Sequence, residues 1–381
     1  MKNNKSKICF VVSSVLTSKF FLRFHIDKLA KNYDVYLVGN FSDDDIDDIS
    51  YFKTKGIKSI PIERKINIYK DLIALRLLVL YFKEMDFDVI HSLTPKAGLL
   101  SSVAGKFVGV KNRIHIFTGQ VWHTKKGFYK ILLKNMDRII VLFNTHILVD
   151  SKAQQEYLIN NNIVCKRKSH VLGKGSVSGV DLTRFKQNDV LKEYFRKELN
   201  IEKNDIVFLY LGRINEDKGI FDLANAFKNL LEDVNNIFLL IVGYDEDNYI
   251  ERIKEIVNNP KKIYYYGASD KPEKIINVGD IFCLPSYREG FGTSIIEASA
   301  SKLAVICSST YGLKDAIIED KTGLRHQVGD DISLYEKMKF FIDNPFLIKT
   351  FGENGFEYVK NFFSADTITE HWLQFYAKIL K

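Results

Sequence analysis

Two carboxylates with seven residues between them, Glu289 and Glu297, bracket a stretch whose backbone could hold an anion. That stretch, Gly290-Phe291-Gly292-Thr293, follows an apolar run, Ile281-Phe282-Cys283-Leu284, which is closed by Pro285. It precedes a helical pattern from Thr293 to Ala300 that puts Ile295, Ile296 and Ala298 on one side. A loop that ends on glycine where a helix begins leaves backbone N–H groups unpaired and points the positive end of the helix dipole outward, a seat for phosphate. With Gly292 as the helix start, Glu297 lies about 7 Å along the axis. A ligand with a diphosphate between two hydroxyl-bearing rings, such as a nucleotide-sugar, would meet both acids and the amides between them. The competing reading is structural: Glu289 caps the helix and Glu297 is solvated.

Two more loops of the second half follow strand-like runs and should reach the same sheet edge. One is Gly212-Arg213-Ile214-Asn215-Glu216-Asp217-Lys218, the other Tyr266-Gly267-Ala268-Ser269. Arg213 and Lys218 bring two positive charges toward the proposed phosphate seat. Fixed cations and amides stabilise charge developing on a departing diphosphate, which needs no metal.

The elements that must position these residues alternate strand and helix throughout. Strand-like runs occur at 8–12, 35–38, 57–62, 89–92 and 113–117, and again at 206–210, 237–242, 263–266, 281–284 and 305–308. Residues 138–143 and 147–150 complete the first series, and helical spacing falls between the runs. The chain of 381 residues, 46% hydrophobic and 27% charged, is long enough for two ordinary domains. The expected architecture is α/β, two Rossmann-like domains facing across a cleft, with ligands at the carboxyl ends of the strands. The segment 170–185, HVLGKGSVSGVDLTRF, marks the boundary, with a hinge expected at 173–185. The domains are set at 1–175, 176–365 and a terminal helical segment 366–381 that returns to the first domain. Residues 367–380, with Trp372, Phe375, Tyr376 and Ile379 at helical spacing, suit that return; a helix merely capping the second domain is the alternative.

Net charge is +8, and it is uneven: residues 1–185 hold 30 Lys and Arg against 16 Asp and Glu, and the remainder 25 against 31. A basic first half suits nucleic acid, an anionic membrane, a phosphorylated acceptor or simple solubility. Lys125, Lys126, Lys130 and Lys134 are placed on a helix beside Phe128, Ile131 and Leu132, a pattern that fits an anionic lipid interface or a plain surface helix. The longest apolar segment, 72–82, is too short to span a bilayer and contains Arg76. The four cysteines have no C-x-x-C spacing and are expected to be reduced and buried in a cytosolic chain. Asp43 to Asp48 is an acidic run on an exposed loop, with no histidine to suggest a metal.

Arg213, Lys218 and the Glu289/Glu297 pair within EGFGTSIIE together resemble the donor-site motifs of the retaining family 4 glycosyltransferases of GT-B fold. The linker GSVSGVDLTRF is similar to that family's interdomain segment, and HSLTPKAGLL and IFTGQVW resemble the bacterial members of capsule, O-antigen and protein-glycan assembly. The resemblance covers the whole chain. It implies a retaining, metal-independent transferase that moves a hexose or N-acetylhexosamine, from UDP by preference, to a polyprenyl-diphosphate-linked saccharide. Such an enzyme would be cytoplasmic and peripheral on the inner face of the membrane, with no cofactor and no nucleic acid. Glu297 would bind the ribose hydroxyls, Arg213 and Lys218 the diphosphate, and Glu289 the transferred sugar. Gly212, Tyr266, Gly267 and the amides of Gly290, Phe291, Gly292 and Thr293 would complete the donor site. Attack is implied from the leaving-group face, the departing phosphate taking the acceptor's proton. On the acceptor side the architecture offers Ser14 in the loop 13–18, and Thr118, Gly119, Gln120 and His123. Many members carry a histidine where Thr118 stands; His123 is the substitute this loop offers, an ordinary loop histidine being the alternative. Rival readings are a sugar-nucleotide 2-epimerase of similar fold and a non-catalytic two-lobed sugar-binding protein.

Overall fold

The computed structural model describes residues 5–64 and 66–381. The chain divides into two compact units, Met1–Ser178 with Ala365–Lys381, and Gly179–Ser364.

The first unit is built on a seven-stranded parallel sheet: β1 (Lys7–Val11), β2 (Asp34–Gly39), β3 (Gly56–Ser59), β4 (Val89–Leu93), β5 (Asn112–Phe117), β6 (His146–Val149) and β7 (Ser169–Val171). The strands are apolar because helices cover both of their faces. Their order is β3-β2-β1-β4-β5-β6-β7, so the direction of winding reverses between β1 and β4. Cys9 on β1 sits in register with Tyr36 on one side and Ile90 on the other. The helix Ile68–Met85 buries only Ala74, Leu78 and Phe82, which enter a core with Ile60, Ile62, Phe87, Ile90 and Leu100. A second cluster gathers Trp122, Ile140, Ile147 and Leu158.

The terminal helix Ala365–Ile379 belongs to this first unit and is held there by its apolar face. The Trp372 ring stacks between His25 and His91, at 4.4 and 4.8 Å between centroids. His25 also bonds Thr369 Oγ1 through Nδ1 at 2.8 Å, and His91 Nδ1 bonds the Tyr376 hydroxyl at 2.6 Å. Burial lowers the His25 pKa to about 4, so this ring packs as a neutral aromatic.

The second unit has six parallel strands: β8 (Ile206–Leu211), β9 (Ile237–Val242), β10 (Ile263–Gly267), β11 (Ile281–Leu284), β12 (Ala304–Ser308) and β13 (Gly323–His326). Their order is β10-β9-β8-β11-β12-β13, with the reversal between β8 and β11.

Four local expectations are corrected. Residues 138–143 are not a strand; they continue the helix Gly127–Phe143, because Asp137 and Ile140 turn inward at helical spacing. That helix begins at Gly127, so Lys125 and Lys126 precede it. The acidic run is the helix Asp43–Asp48, closed by a Ser42–Asp45 capping box. Carboxylates in a first turn are favoured by the helix dipole, which explains the crowding without a ligand. Of the cysteines, Cys9, Cys283 and Cys307 are buried and Cys165 is exposed.

Candidate functional site

In an open parallel sheet the crevice for ligands lies beyond the carboxyl ends of the strands, where the winding reverses. In the second unit that point falls between β8 and β11, whose following loops carry Gly212 to Lys218 and Pro285 to Gly292. The two loops are pressed together. The Tyr287 N–H donates to the Asp217 carbonyl at 2.9 Å, and Arg288 pairs with Asp217 at 3.2 Å. Gly219 has φ 68°, and a β-carbon there would stand 2.1 Å from the Pro285 carbonyl oxygen. Only glycine permits both that backbone and that approach.

The result is a direct ion pair between Lys218 Nζ and Glu289 Oε1, with side chains only 16% and 14% exposed. Ser286 Oγ donates to the same Oε1 at 3.0 Å. Glu289 is therefore not the helix cap: the cap position is Gly292, at φ 77°, and it makes no side-chain cap bond. Behind the acid, the segment Tyr311–Leu313 lies so close that a β-carbon at Gly312 would meet the Glu289 carbonyl oxygen at 2.1 Å.

Arg213 is held by a residue the sequence reading passed over. The β8 and β9 loops continue side by side, Ile214 N–H donating to the Tyr244 carbonyl at 2.8 Å and Glu246 N–H to the Ile214 carbonyl at 3.2 Å. This delivers Glu246 to Arg213 Nη1 and to Asn215 Nδ2, each at 2.6 Å. The buried Tyr210 hydroxyl donates to the Arg213 carbonyl at 2.6 Å. Burial first, then the charge of Glu289, pushes that phenol well above its ordinary pKa, which places Tyr210 within the field of both Glu289 and Arg213. Both cations of the site are thus paired with carboxylates rather than free. The only advance signals were an acidic run, Asp245-Glu246-Asp247, directly after a strand, and a buried tyrosine that had to find an acceptor.

The helix Thr293–Ala300 starts at this edge; the Ile295 N–H donates to the Gly292 carbonyl at 2.9 Å, and the N–H groups of Thr293 and Ser294 precede the intrahelical ladder. Glu297 lies on its second turn, half-buried rather than free in solvent. Burial raises its carboxyl to about 8, with Arg184 opposing and Glu273 adding to the shift. Arg184 itself donates to Glu273 at 2.8 Å. The Phe291 side chain is buried against Phe363, with ring centroids 5.0 Å apart, so only its backbone faces the loop. Gly267 closes β10 at φ 86°, and its carbonyl accepts from the Gly243 N–H at 2.9 Å. A β-carbon on Gly243 would in turn stand 1.7 Å from the Gly212 carbonyl oxygen, so Gly212, Gly243 and Gly267 lie side by side across three strands. Tyr266 is half-buried, its ring edge-on to Phe195. Among the described residues, no group of three or more His, Cys, Asp or Glu is placed to hold a metal ion.

The residues assigned to an acceptor lie in the first unit, after β1 and β5. Ser14 follows β1, and its hydroxyl bonds Thr17 Oγ1 at 3.1 Å. The loop from Thr118 to His123 is pinned by Trp122, whose indole donates to buried Asp137 at 2.7 Å; burial raises that carboxyl to about 7. Gly119 takes φ 106°, and Gln120 is buried. His123 Nδ1 bonds the Tyr157 hydroxyl at 2.7 Å, so its ring is oriented by the fold. Between these loops, at the reversal of this sheet, Thr94 has φ 71° and stands at the N-cap position of the helix Pro95–Val108 without a side-chain cap bond. A β-branched residue in that region is strained, a cost of order 1–3 kcal/mol that sequence spacing does not reveal.

The family described as "Glycosyl transferases group 1" matches residues 192–358. The chain is 32% identical to the capsular polysaccharide biosynthesis glycosyltransferase CapM of Staphylococcus aureus, over 100% of this chain and 99% of that protein. It is 25% identical to the N,N'-diacetylbacillosaminyl-diphospho-undecaprenol alpha-1,3-N-acetylgalactosaminyltransferase of Campylobacter jejuni, over 78% and 79% of the two chains. Among solved structures, Anabaena Alr3699/HepE in complex with UDP and glucose superposes with a TM-score of 0.82 at 15% identity, covering 98% of this chain and 100% of that one. Sucrose-phosphate synthase of Thermosynechococcus elongatus gives 0.80 at 19% identity, covering 99% of each. The two parallel-sheet Rossmann-like units are those of the GT-B fold.

Proposed function

The chain belongs to the group 1 glycosyl transferases, and from that premise we propose that it moves a hexose or N-acetylhexosamine from UDP to a polyprenyl-diphosphate-linked saccharide, with retention of configuration. The observation that carries this reading is the Lys218–Glu289 pair beside the start of Thr293–Ala300, at the reversal of the second sheet. In the proposed complex the diphosphate lies against the helix amides, with Arg213 and Lys218 on its oxygens. Glu289 keeps Oε1 on Lys218 and Ser286 and offers Oε2 to a sugar hydroxyl. Glu297 receives the ribose hydroxyls. As the bond from the anomeric carbon to phosphate oxygen breaks, the acceptor hydroxyl bonds the same face of that carbon. Its proton passes to the departing phosphate, which the cations stabilise. No step requires a metal.

The acceptor class is supported by the relatives: the Campylobacter protein is named for a diphospho-undecaprenol acceptor, and CapM for capsular polysaccharide. UDP is supported by the Anabaena structure, which holds it. A lipid acceptor places the enzyme on the inner face of the cytoplasmic membrane as a peripheral protein. Among the described residues no helix is long and apolar enough to cross a membrane.

The test offers a panel of UDP-sugars with a polyprenyl-diphosphate saccharide and analyses the lipid product by mass and by anomeric coupling. One added sugar of unchanged anomeric configuration is expected. Inversion would overturn the mechanism, and interconversion of UDP-sugar without any acceptor would overturn the transferase reading in favour of an epimerase.

A further inference from the structure

The histidines of this chain gather on one element. Of eight in all, five meet the terminal helix Ala365–Ile379: His371 lies on it, and His25, His91, His146 and His170 pack against it from elsewhere in the first unit. Trp372 fills the gap between His25 and His91, and Phe375, nearly one turn on, meets His146 and His170 with ring centroids 5.7 and 6.1 Å away. His25 also reaches the linker. Its Nε2 donates to the Val177 carbonyl at 2.8 Å, while Nδ1 bonds Thr369. The chain leaves the first unit after Ser178 and re-enters it at Ala365, so one imidazole holds both ends of that excursion.

This seat accepts neutral rings. His91 is fully buried; the Tyr376 hydroxyl occupies its Nδ1, and its Nε2 has no hydrogen-bond partner among the described residues. A proton added there would be a buried charge without an acceptor, which is costly. Burial holds the His91 pKa well below its ordinary value, and His115 and His25 push the same way. At His25 burial outweighs the bond to Val177, which acts in the opposite direction. His146 is lowered by burial, then by His170, Lys168 and Lys378; His170 is lowered by burial, then by Lys378. None of the groups acting on these four rings is a carboxylate. The two acids of the helix, Asp366 and Glu370, are exposed, and Asp366 is paired with Lys28. Tyr33 faces Tyr376, with ring centroids 6.0 Å apart.

We infer that the terminal helix is a proton-operated latch, seated while these rings are neutral and released in acid, when the ends held at Val177 and Thr369 come free together. Once released, the histidines stand in water, where they bind protons at an ordinary value of about 6.5 that the seated rings exclude. Seating is therefore fully favoured above about pH 6.5 and weakens as pH falls from there toward about 4, the value of seated His25. The latch lies within the first unit and depends on neither the donor nor the acceptor proposed above.

The test is hydrogen exchange of the full chain, read by mass spectrometry at pH 7.5 and pH 5.0 and corrected for intrinsic exchange. Between those values each histidine that is neutral when seated and ordinary when released moves the balance about 30-fold toward release. Amides of 365–379 are expected to lose at least about 30-fold in protection and to fall below those of β1 and β4 in the same unit. Loss in step with β1 and β4 would overturn the inference, since the whole unit would then be unfolding; so would unchanged protection. His25→Gln/His91→Gln removes the two buried titrating rings and should abolish most of the pH-dependent loss; an equal loss in that variant would overturn the latch. Ring-proton NMR of the wild type decides even if the variant does not fold. His25 and His91 should stay neutral until the helix is released, and titration of both at about pH 6.5 with the helix still protected would refute the inference.

Discussion

Replacing either partner of the Lys218–Glu289 pair should separate a structural cost from a chemical one. Both side chains are largely enclosed, at 16% and 14% exposure, so Glu289→Gln strands a lysine and Lys218→Met strands a carboxylate. Breaking a buried pair from one side costs about 3–5 kcal/mol, and the residual exposure here favours the lower figure, about 3. For a unit of this length each kcal/mol shifts the midpoint by about 2–4 °C, so each single variant should melt about 6–12 °C lower. The double variant leaves no stranded charge and should recover about 2 kcal/mol of the summed loss. Calorimetric melting of the three variants measures this coupling. Additive losses, within about 0.5 kcal/mol, would refute the pairing. Turnover, measured below every midpoint, is the chemical half: Glu289→Gln should lose at least about 100-fold, as for removal of one preorganised contact in a transition state. Near-normal turnover with a lowered midpoint would make the pair purely structural.

Glu297 should make stability fall with rising pH. Its folded pKa of about 8 lies above the ordinary 4.5, so between those values the folded chain holds a proton that the unfolded chain has released. From pH 6 to pH 8 this group should remove about 2 kcal/mol, and Glu297→Gln should abolish that slope; parallel urea midpoints for the two proteins would refute it. Glu246→Gln keeps the side chain's shape and one of its two acceptors, turns the other into a donor, and removes a negative charge beside the proposed diphosphate. UDP binding should tighten by about threefold, a small effect because Arg213 is 42% exposed; weaker binding by calorimetry would count against the diphosphate role. Gly312→Ala drives a methyl group into the Glu289 carbonyl and should cost about 1–3 kcal/mol, with weaker UDP binding; an unchanged midpoint would show that the loop yields freely.

The fold was legible because it is encoded locally. Ile281-Phe282-Cys283-Leu284 can only be a strand buried on both faces, and a glycine-closed loop followed by Ile295, Ile296 and Ala298 can only pack as a helix on its sheet. Local pattern failed where two periods compete. Ile139-Ile140-Val141 has strand composition, yet its run is helical because Asp137 and Ile140 are both needed inside, against Trp122 and the second core cluster. The site was legible as residue types but not as pairings. Nothing near Lys218 in sequence points to Glu289, 71 residues away, or near Arg213 to Glu246, 33 residues away. Those contacts exist because parallel strands bring distant loops to one edge, and because Gly219 and Gly312 let backbones close to distances that a β-carbon forbids.

That distinction changes the electrostatics of the phosphate seat. Two free cations would bind an anion chiefly by long-range attraction, strongly screened by salt. Here each cation already holds a carboxylate, Lys218 with Glu289 and Arg213 with Glu246, so the net field of these four groups is close to zero. What remains unneutralised at that edge is the helix dipole and the N–H groups of Thr293 and Ser294, which act only at short range. In the proposed complex Glu289 therefore does more than meet a sugar hydroxyl, and Glu246 shares that second task. The two carboxylates hold the cations folded and in place before any ligand arrives, so that charge developing on a leaving diphosphate in the proposed reaction would meet groups that need not reorganise.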